Sequence, residues 1–228
     1  MASGKLSSTR RPDLLIRQFR RAVSVAESRK DWLVALELLR RACQVGIPRA
    51  IYALGTWYLH GRVVPKSRMR GLQLIARASR LGDPLADYDL AVAYGNGRGR
   101  KRSLAHARRL FLRAASGGDL EAAYSVGKYY YFGDGGPIDM VAAAIWWRRA
   151  ARRGHREAAR SLAICYKYGD GVRKNARLAR IWDASAYISV ESSYVRRLEA
   201  SNEAVRTPLR SSHGIEQALL GSQARTTV

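Results

Sequence analysis

His60, His106, His155 and His213, with Cys43 and Cys165, are the side chains of this chain suited to hold a metal or attack an electrophile. Their spacing argues against both. No His-x-x-x-His or Cys-x-x-Cys occurs, so the ligand pairs that build a structural zinc site are missing. Cys165 falls beside a tyrosine on the apolar side of its helix, where a buried inert thiol is expected rather than a nucleophile. Gly95-Asn-Gly97-Arg-Gly99 and Gly133-Asp-Gly135-Gly136 have the glycine content of a phosphate loop. They lack the Gly-Lys-Ser/Thr ending and follow helical rather than strand patterns. No catalytic residue, no cofactor-binding residue and no metal ligand is expected. What remains is recognition chemistry. Tyr52, Tyr88 and Tyr124, then Arg160, return at one position of a repeating pattern, and these residue types dominate binding hot spots because they give area at little entropic cost.

The pattern that must position them has a period of 36 residues. Ala50, Ala86, Ala122 and Ala158 begin its units; Tyr58, Tyr94, Tyr130 and Tyr166 follow at eight residues, and Gly61, Gly97, Gly133 and Gly169 three later. Gly82, Gly118 and Gly154 close the first three units. A fixed period of this size marks a stacked repeat array. Within each unit the apolar spacing reads as two helices. Ser67, Ser103, Asp139 and Asn175 stand where the second helix needs an N-cap acceptor. Gly154 ends that helix, where a left-handed residue is favoured. Gly55, Ala91, Gly127 and Ala163 let neighbouring helices approach, and Leu74, Leu110, Trp146 and Trp182 fill the space between layers. No single hairpin covers its own apolar face, so stability must come from stacking.

The expected organisation is a flexible N-terminus over 1–12 and a degenerate capping hairpin over 13–49, its first helix near Asp13 to Ser28. Ala35, Ala42 and Gly46 there are in register with Ala143, Ala150 and Gly154. Units then run over 50–85, 86–121, 122–157 and 158–190. Residues 191–205 could form a capping helix, and 206–228 read as a disordered tail.

The run Val126-Gly127, Tyr130, Gly133-Asp-Gly135, Asp139, Ala143, Trp146, Ala150-Ala151 and Gly154 closely resembles the Sel-one-like repeat family, a relative of the tetratricopeptide repeats. Gly169-Asp-Gly171-Val172, Ala179, Trp182 and Ala186 match nearly as well. The first two units depart from it: Gly61-Arg-Val63 lacks the second glycine, and leucine replaces tryptophan in both. The resemblance covers residues 50–186. It implies an all-α, right-handed α-solenoid of helix-turn-helix hairpins that assembles complexes rather than catalyses, with the first helix of each unit lining a concave groove. At 100° per residue, positions one, five, eight and nine of that helix form the core side. Positions three, seven and ten lie opposite: Tyr52, Thr56 and Leu59; Tyr88, Val92 and Gly95; Tyr124, Lys128 and Tyr131; Arg160, Ile164 and Lys167. The third-position tyrosines either face a partner in the groove or pack sideways onto the adjacent hairpin.

Charge bears on the partner. The chain carries +23, and 34 of its 41 cations are arginine. Such a balance favours acidic partners: an acidic protein surface, anionic lipid, or nucleic acid in the rival reading of a basic nucleic-acid-binding solenoid. The excess is spread along the chain, which also suits compositional bias. Arg77, Arg113 and Arg149 recur at the outer face of the second helices, with Arg108, Arg109, Arg148, Arg152 and Arg180 nearby, and read as a solvated ridge. The loop Arg98, Arg100, Lys101 and Arg102 is the densest basic cluster, and no aromatic platform is apparent beside it. The two cysteines lie too far apart along an array to meet, which points to reduced thiols and a cytoplasmic location. The first residues lack the apolar core of a secretory signal, with organellar import the alternative, and no apolar run reaches membrane-spanning length.

Overall fold

The computed structural model describes residues 31–186, together with residues 17, 24 and 28. Among the described residues there are nine helices and no strand: α1 Trp32–Gln44, α2 Pro48–His60, α3 Arg68–Arg80, α4 Pro84–Asn96, α5 Leu104–Ser116, α6 Leu120–Phe132, α7 Met140–Ala151, α8 Arg156–Tyr168 and α9 Ala176–Ser185. Each packs on the next in sequence, and the hairpins α2–α3, α4–α5, α6–α7 and α8–α9 stack into an α-solenoid. The flexible N-terminus, the helix near Asp13 to Ser28, the capping helix over 191–205 and the tail over 206–228 fall on residues that lie, apart from the three isolated positions, outside the described ones. In α1, Ala35 and Ala42 are buried and Gly46 has φ +84°, the state of Ala143, Ala150 and Gly154.

The helix ends are made locally, and the same way each time. Ser67, Ser103, Asp139 and Asn175 are the N-caps of α3, α5, α7 and α9, and their side chains accept the N–H of Arg70, His106, Ala142 and Leu178. Their own N–H groups donate to the carbonyls of Tyr58, Tyr94, Tyr130 and Tyr166 at 2.8 to 2.9 Å, which closes each hairpin. Past the second helices, Gly46, Gly82, Gly118 and Gly154 take φ of +83 to +94°. This lets the next N–H (Ile47, Asp83, Asp119, His155) reach back to the carbonyl of Ala42, Ala78, Ala114 or Ala150. Such a left-handed closure satisfies carbonyls the helix leaves unpaired. Three of these next residues also cap the first helix of the following unit: Asp83, Asp119 and the Nδ1 of His155 accept from Ala86, Ala122 and Ala158. This second set of caps was present in the sequence as Gly82-Asp83-Pro84 and Gly118-Asp119.

Small residues set the layer spacing. A Cβ on Gly55 would lie 3.1 Å from the carbonyl of Gly71, and one on Gly71 2.9 Å from the carbonyl of Gly55. The indole of Trp147 rests on Gly127 and donates from Nε1 to the carbonyl of Tyr124 at 3.1 Å. Two buried clusters, one in the first layers and one in the last three, share Tyr94 and Leu110 at their junction. In the first unit Val63 keeps the left-handed backbone (φ +59°) that Gly99, Gly135 and Gly171 adopt in the others, with the N–H of Val64 donating to the carbonyl of Arg62. A β-branched residue is strained there.

The arginine ridge needs correction. Arg108 is not solvated: it is 8% exposed, its guanidinium 3.8 Å over the ring of Tyr130 and hydrogen-bonded to the carbonyl of Pro137. Arg77 and Arg113 reach back across the layer to the last turn of the preceding second helix, donating to the carbonyls of Cys43 and Ser79. These positions favour a cation, because helix C-terminal carbonyls carry partial negative charge. Arg113 also grips buried Asp87 with two nitrogens, Nε at 2.6 Å from Oδ2. On one helix the wheel puts these arginines outward, but the staggered neighbouring layer receives them.

Replacing Val63→Gly should relieve backbone strain and raise stability by about 1 kcal/mol. Gly127→Ala, a better helix former, should instead destabilise, because its methyl would overlap the Trp147 indole; urea melts of both variants check the opposite signs. Arg113→Met strands the Asp87 carboxylate in the interface and should cost roughly 3 kcal/mol. Asp87→Asn should cost less, about 1–2 kcal/mol, because the half-exposed Arg113 can turn to water. Equal losses in denaturant titrations would contradict that asymmetry.

Candidate partner-binding surface

The third-position tyrosines are half-buried, and each bonds to the next layer. Tyr52 donates to Asp89 Oδ2 at 3.0 Å, Tyr88 is hydrogen-bonded to Ser125, and Tyr124 to Ser161. Each partner lies 37 positions on. The rings also pack: Tyr88 edge-on to Phe111 at 5.5 Å, and Tyr124 stacked on His155 at 4.9 Å. Burial, followed by neighbouring carboxylates, pushes all three phenols above their ordinary pKa. Burial also raises the Asp89 carboxyl, against the opposing effect of the Tyr52 hydrogen bond. The ladder therefore joins layers through its hydroxyls and leaves part of each ring to solvent.

The seventh and tenth positions divide. Thr56 turns its hydroxyl onto the carbonyl of Ala53, Leu59 lies against Gly71, and Val92 packs on the core. Gly95 is covered by the hydroxyl of Tyr129. Tyr131 donates to Asp170 at 2.7 Å, a bond that, with burial, holds its phenol up at about 12. Lys128, Ile164 and Lys167 are exposed, Ile164 by 49% of its surface. Arg160 pairs with Glu157 at 2.6 Å. The structure brings Arg160, Ile164 and Lys167 together on α8, where with Ala163 and with Ala176, Ala179, Arg180 and Asp183 of α9 they line an open cleft of about 630 Å³. Its floor is alanine and isoleucine, and its rim carries three cations and one carboxylate.

The basic loop differs from its sequence reading in one respect. Arg98, Lys101 and Arg102 are exposed, with Arg102 Nε donating to the carbonyl of Gly95. Arg100 lies 4.7 Å over the ring of Tyr94, and His106 stacks on that ring at 5.2 Å. An aromatic platform does stand beside the loop. It was hidden because Tyr94 occupies the repeat's core register and is buried in the third and fourth units (Tyr130, Tyr166) but only half-buried here. A second cleft, of about 450 Å³, opens next to it between α3 and α5.

Among the described residues, no reactive centre forms around the other candidates; His213 lies outside them. Burial pushes the Cys43 thiol up to about 11 and the Cys165 thiol to about 12, so neither carries much thiolate at neutral pH. Among the described residues no group of three or more His, Cys, Asp or Glu is placed to share a metal ion, and no helix is long and apolar enough to cross a membrane.

The Sel1 repeat pattern matches residues 48–83, 84–119, 120–155 and 156–182, two residues earlier in phase than units counted from the alanines, because α2, α4, α6 and α8 begin before them. No curated protein matches the chain. Among the solved structures that resemble it are two Sel1-type repeat folds. One is c5321, described as a protective antigen present in uropathogenic Escherichia coli strains displaying an SLR fold. It aligns with a TM-score of 0.64 at 31% identity, over 68% of this chain and 33% of that one, so the chain spans about a third of its length. The other, a Sel1 repeat protein from Oxalobacter formigenes, aligns with a TM-score of 0.69 at 22% identity, over 93% of this chain and 88% of that one. Four consecutive repeat matches covering more than half of the sequence, on a solenoid of the same architecture, make this chain a member of the Sel1 repeat family.

Proposed function

We propose that the chain is a protein–protein interaction scaffold that grips an acidic partner along the face built by its first helices. Sel1 repeat proteins generally act in protein–protein interaction, and the family is one of non-enzymatic repeat scaffolds. The observation that carries the finer reading is the cleft at the fourth unit, where exposed Ile164 sits among Arg160, Lys167 and Arg180. An apolar anchor point ringed by cations suits a segment pairing apolar side chains with carboxylates: burial supplies affinity, and the charges steer the encounter. The half-exposed rings of Tyr52, Tyr88 and Tyr124 extend the same face towards the first unit. The proposal includes a non-catalytic role and a cytoplasmic location, in keeping with two buried free thiols.

Tyrosine truncation would be a poor test, because the hydroxyls hold layers together. Ile164→Asp with Lys167→Glu alters only exposed side chains. The double variant should keep the wild-type melting curve and lose at least tenfold in affinity for captured acidic protein, measured after nuclease treatment at moderate salt. Captured material that disappears with nuclease, with a steep salt slope indifferent to the double variant, would instead support the nucleic-acid reading.

A further inference from the structure

On the other side of the array, α3 and α5 part over α4 and leave the cleft of about 450 Å³. Arg80 from the last turn of α3, Arg100 from the basic loop and Arg109 of α5 all line it, and no acidic side chain does. Arg113 is there too, but its charge is already matched by Asp87. Arg80 and Arg109 have no hydrogen bond or ion pair with any described residue. The Nε of Arg100 is sealed from solvent without an acceptor, while its guanidinium lies on the Tyr94–His106 stack. No carboxylate lines the cleft to answer the charges of Arg80, Arg100 and Arg109, so an anion seated here would be held by charge-assisted hydrogen bonds that the fold itself does not supply.

The charge count favours one kind of anion. A carboxylate is satisfied by a single guanidinium in the fork geometry. Three uncompensated arginines with no counter-charge suit a phosphate monoester, which carries close to two negative charges and three acceptor oxygens. The cleft does not end at the cations. It runs on into a groove of about 570 Å³ that shares Ala76, Arg80 and Arg100 with it and is lined by Met69 and Leu72. Met69 is among the most exposed large apolar side chains described. A free phosphate would leave this apolar track uncovered, and the bases of a nucleic-acid strand, which stack on flat rings, would find only the flexible side chains of Met69 and Leu72 along it. A chain bearing both an anion and an apolar neighbour covers it.

We infer that this cleft docks a phosphorylated peptide segment. The phosphoryl group of a phosphoserine or phosphothreonine sits against Arg80, Arg100 and Arg109, and an adjacent apolar side chain lies on Met69 and Leu72. The site is separate from the first-helix face. Arg80 and Arg109 are exposed and contribute nothing to the interlayer bonds described above, so their loss does not perturb the cleft at Ile164.

The probe is a short fluorescein-labelled peptide carrying phosphoserine flanked by leucine, titrated against the full chain by anisotropy at fixed ionic strength. The dephosphorylated peptide and one with glutamate in place of phosphoserine should each bind at least tenfold more weakly. The double variant Arg80→Ala/Arg109→Ala should lose at least tenfold for the phosphopeptide. Arg156→Ala/Arg173→Ala, which removes the same charge from exposed sites two layers away, should stay within twofold, and both variants should melt as wild type. Met69→Ser, which removes apolar surface without adding charge, should weaken the phosphopeptide and leave the inhibition constant of inorganic phosphate unchanged. Several results would overturn the inference: equal binding of the unphosphorylated peptide, equal loss in the remote double variant, inorganic phosphate competing as tightly as the peptide binds, or a single-stranded oligonucleotide displacing the peptide with a steep salt slope. None of these bears on Ile164 and Lys167, so failure here leaves the proposed scaffold role standing.

Discussion

A hairpin of two helices of about thirteen residues exposes an apolar face that it cannot cover alone, and only a second copy laid on that face hides it from water. The stack therefore depends on how closely neighbouring helices approach. Alanine at the first position of each unit, with glycine or alanine at the sixth, sets that distance. Ala50, Ala86, Ala122 and Ala158 are fully buried, and Gly55 and Gly127 touch a carbonyl and an indole where a methyl would intrude. Larger residues then fill what the small ones leave, as Trp147 does on Gly127. Bulk and absence of bulk are paired across the seam, which keeps packing dense in a core only one hairpin thick.

Once the layers are that close, polar groups along the seam must find partners, and many do so across layers. Examples are Arg113 to the carbonyl of Ser79, Arg49 to Asp83 at 2.8 Å, and Tyr52 to Asp89, at offsets of 34 to 37 residues. One pairing changes its chemistry along the chain, from a carboxylate cap in an ion pair to an imidazole that caps through an unprotonated nitrogen. At the first interface the cation is Arg49 and the cap is Asp83; at the third the acid is Glu121 and the cap is His155, 3.2 Å apart. The cap is kept in both cases because an imidazole nitrogen, like a carboxylate oxygen, accepts the first-turn N–H.

Function enters where this bonding stops. On the first-helix side the tyrosine hydroxyls are committed to the seam, whereas Lys128, Ile164 and Lys167 remain exposed. On the second-helix side most arginines are tied to carbonyls, rings or Asp87, whereas Arg80 and Arg109 stand without such partners beside one cleft. A net charge of +23 is thus a poor guide by itself. Much of it is structural, held in bonds to carbonyls, rings and Asp87, and only the arginines that the architecture leaves unmatched bear on the proposed docking.

The period, the hairpins, the four N-caps of the second helices and the closing glycines could all be read from residues alone. They depend on interactions within one turn or one loop, where type and spacing dictate geometry. The partition of the candidate site could not. A helical wheel gives the direction in which Tyr52, Arg108 or Arg113 leaves its own helix, but not what the next layer presents at the end of that reach. Stacking staggers each hairpin against its neighbour, and that stagger turned outward arginines into interlayer bonds and left Ile164 in the open, while the turn of the α4–α5 hairpin itself folds Arg100 onto Tyr94 beside His106.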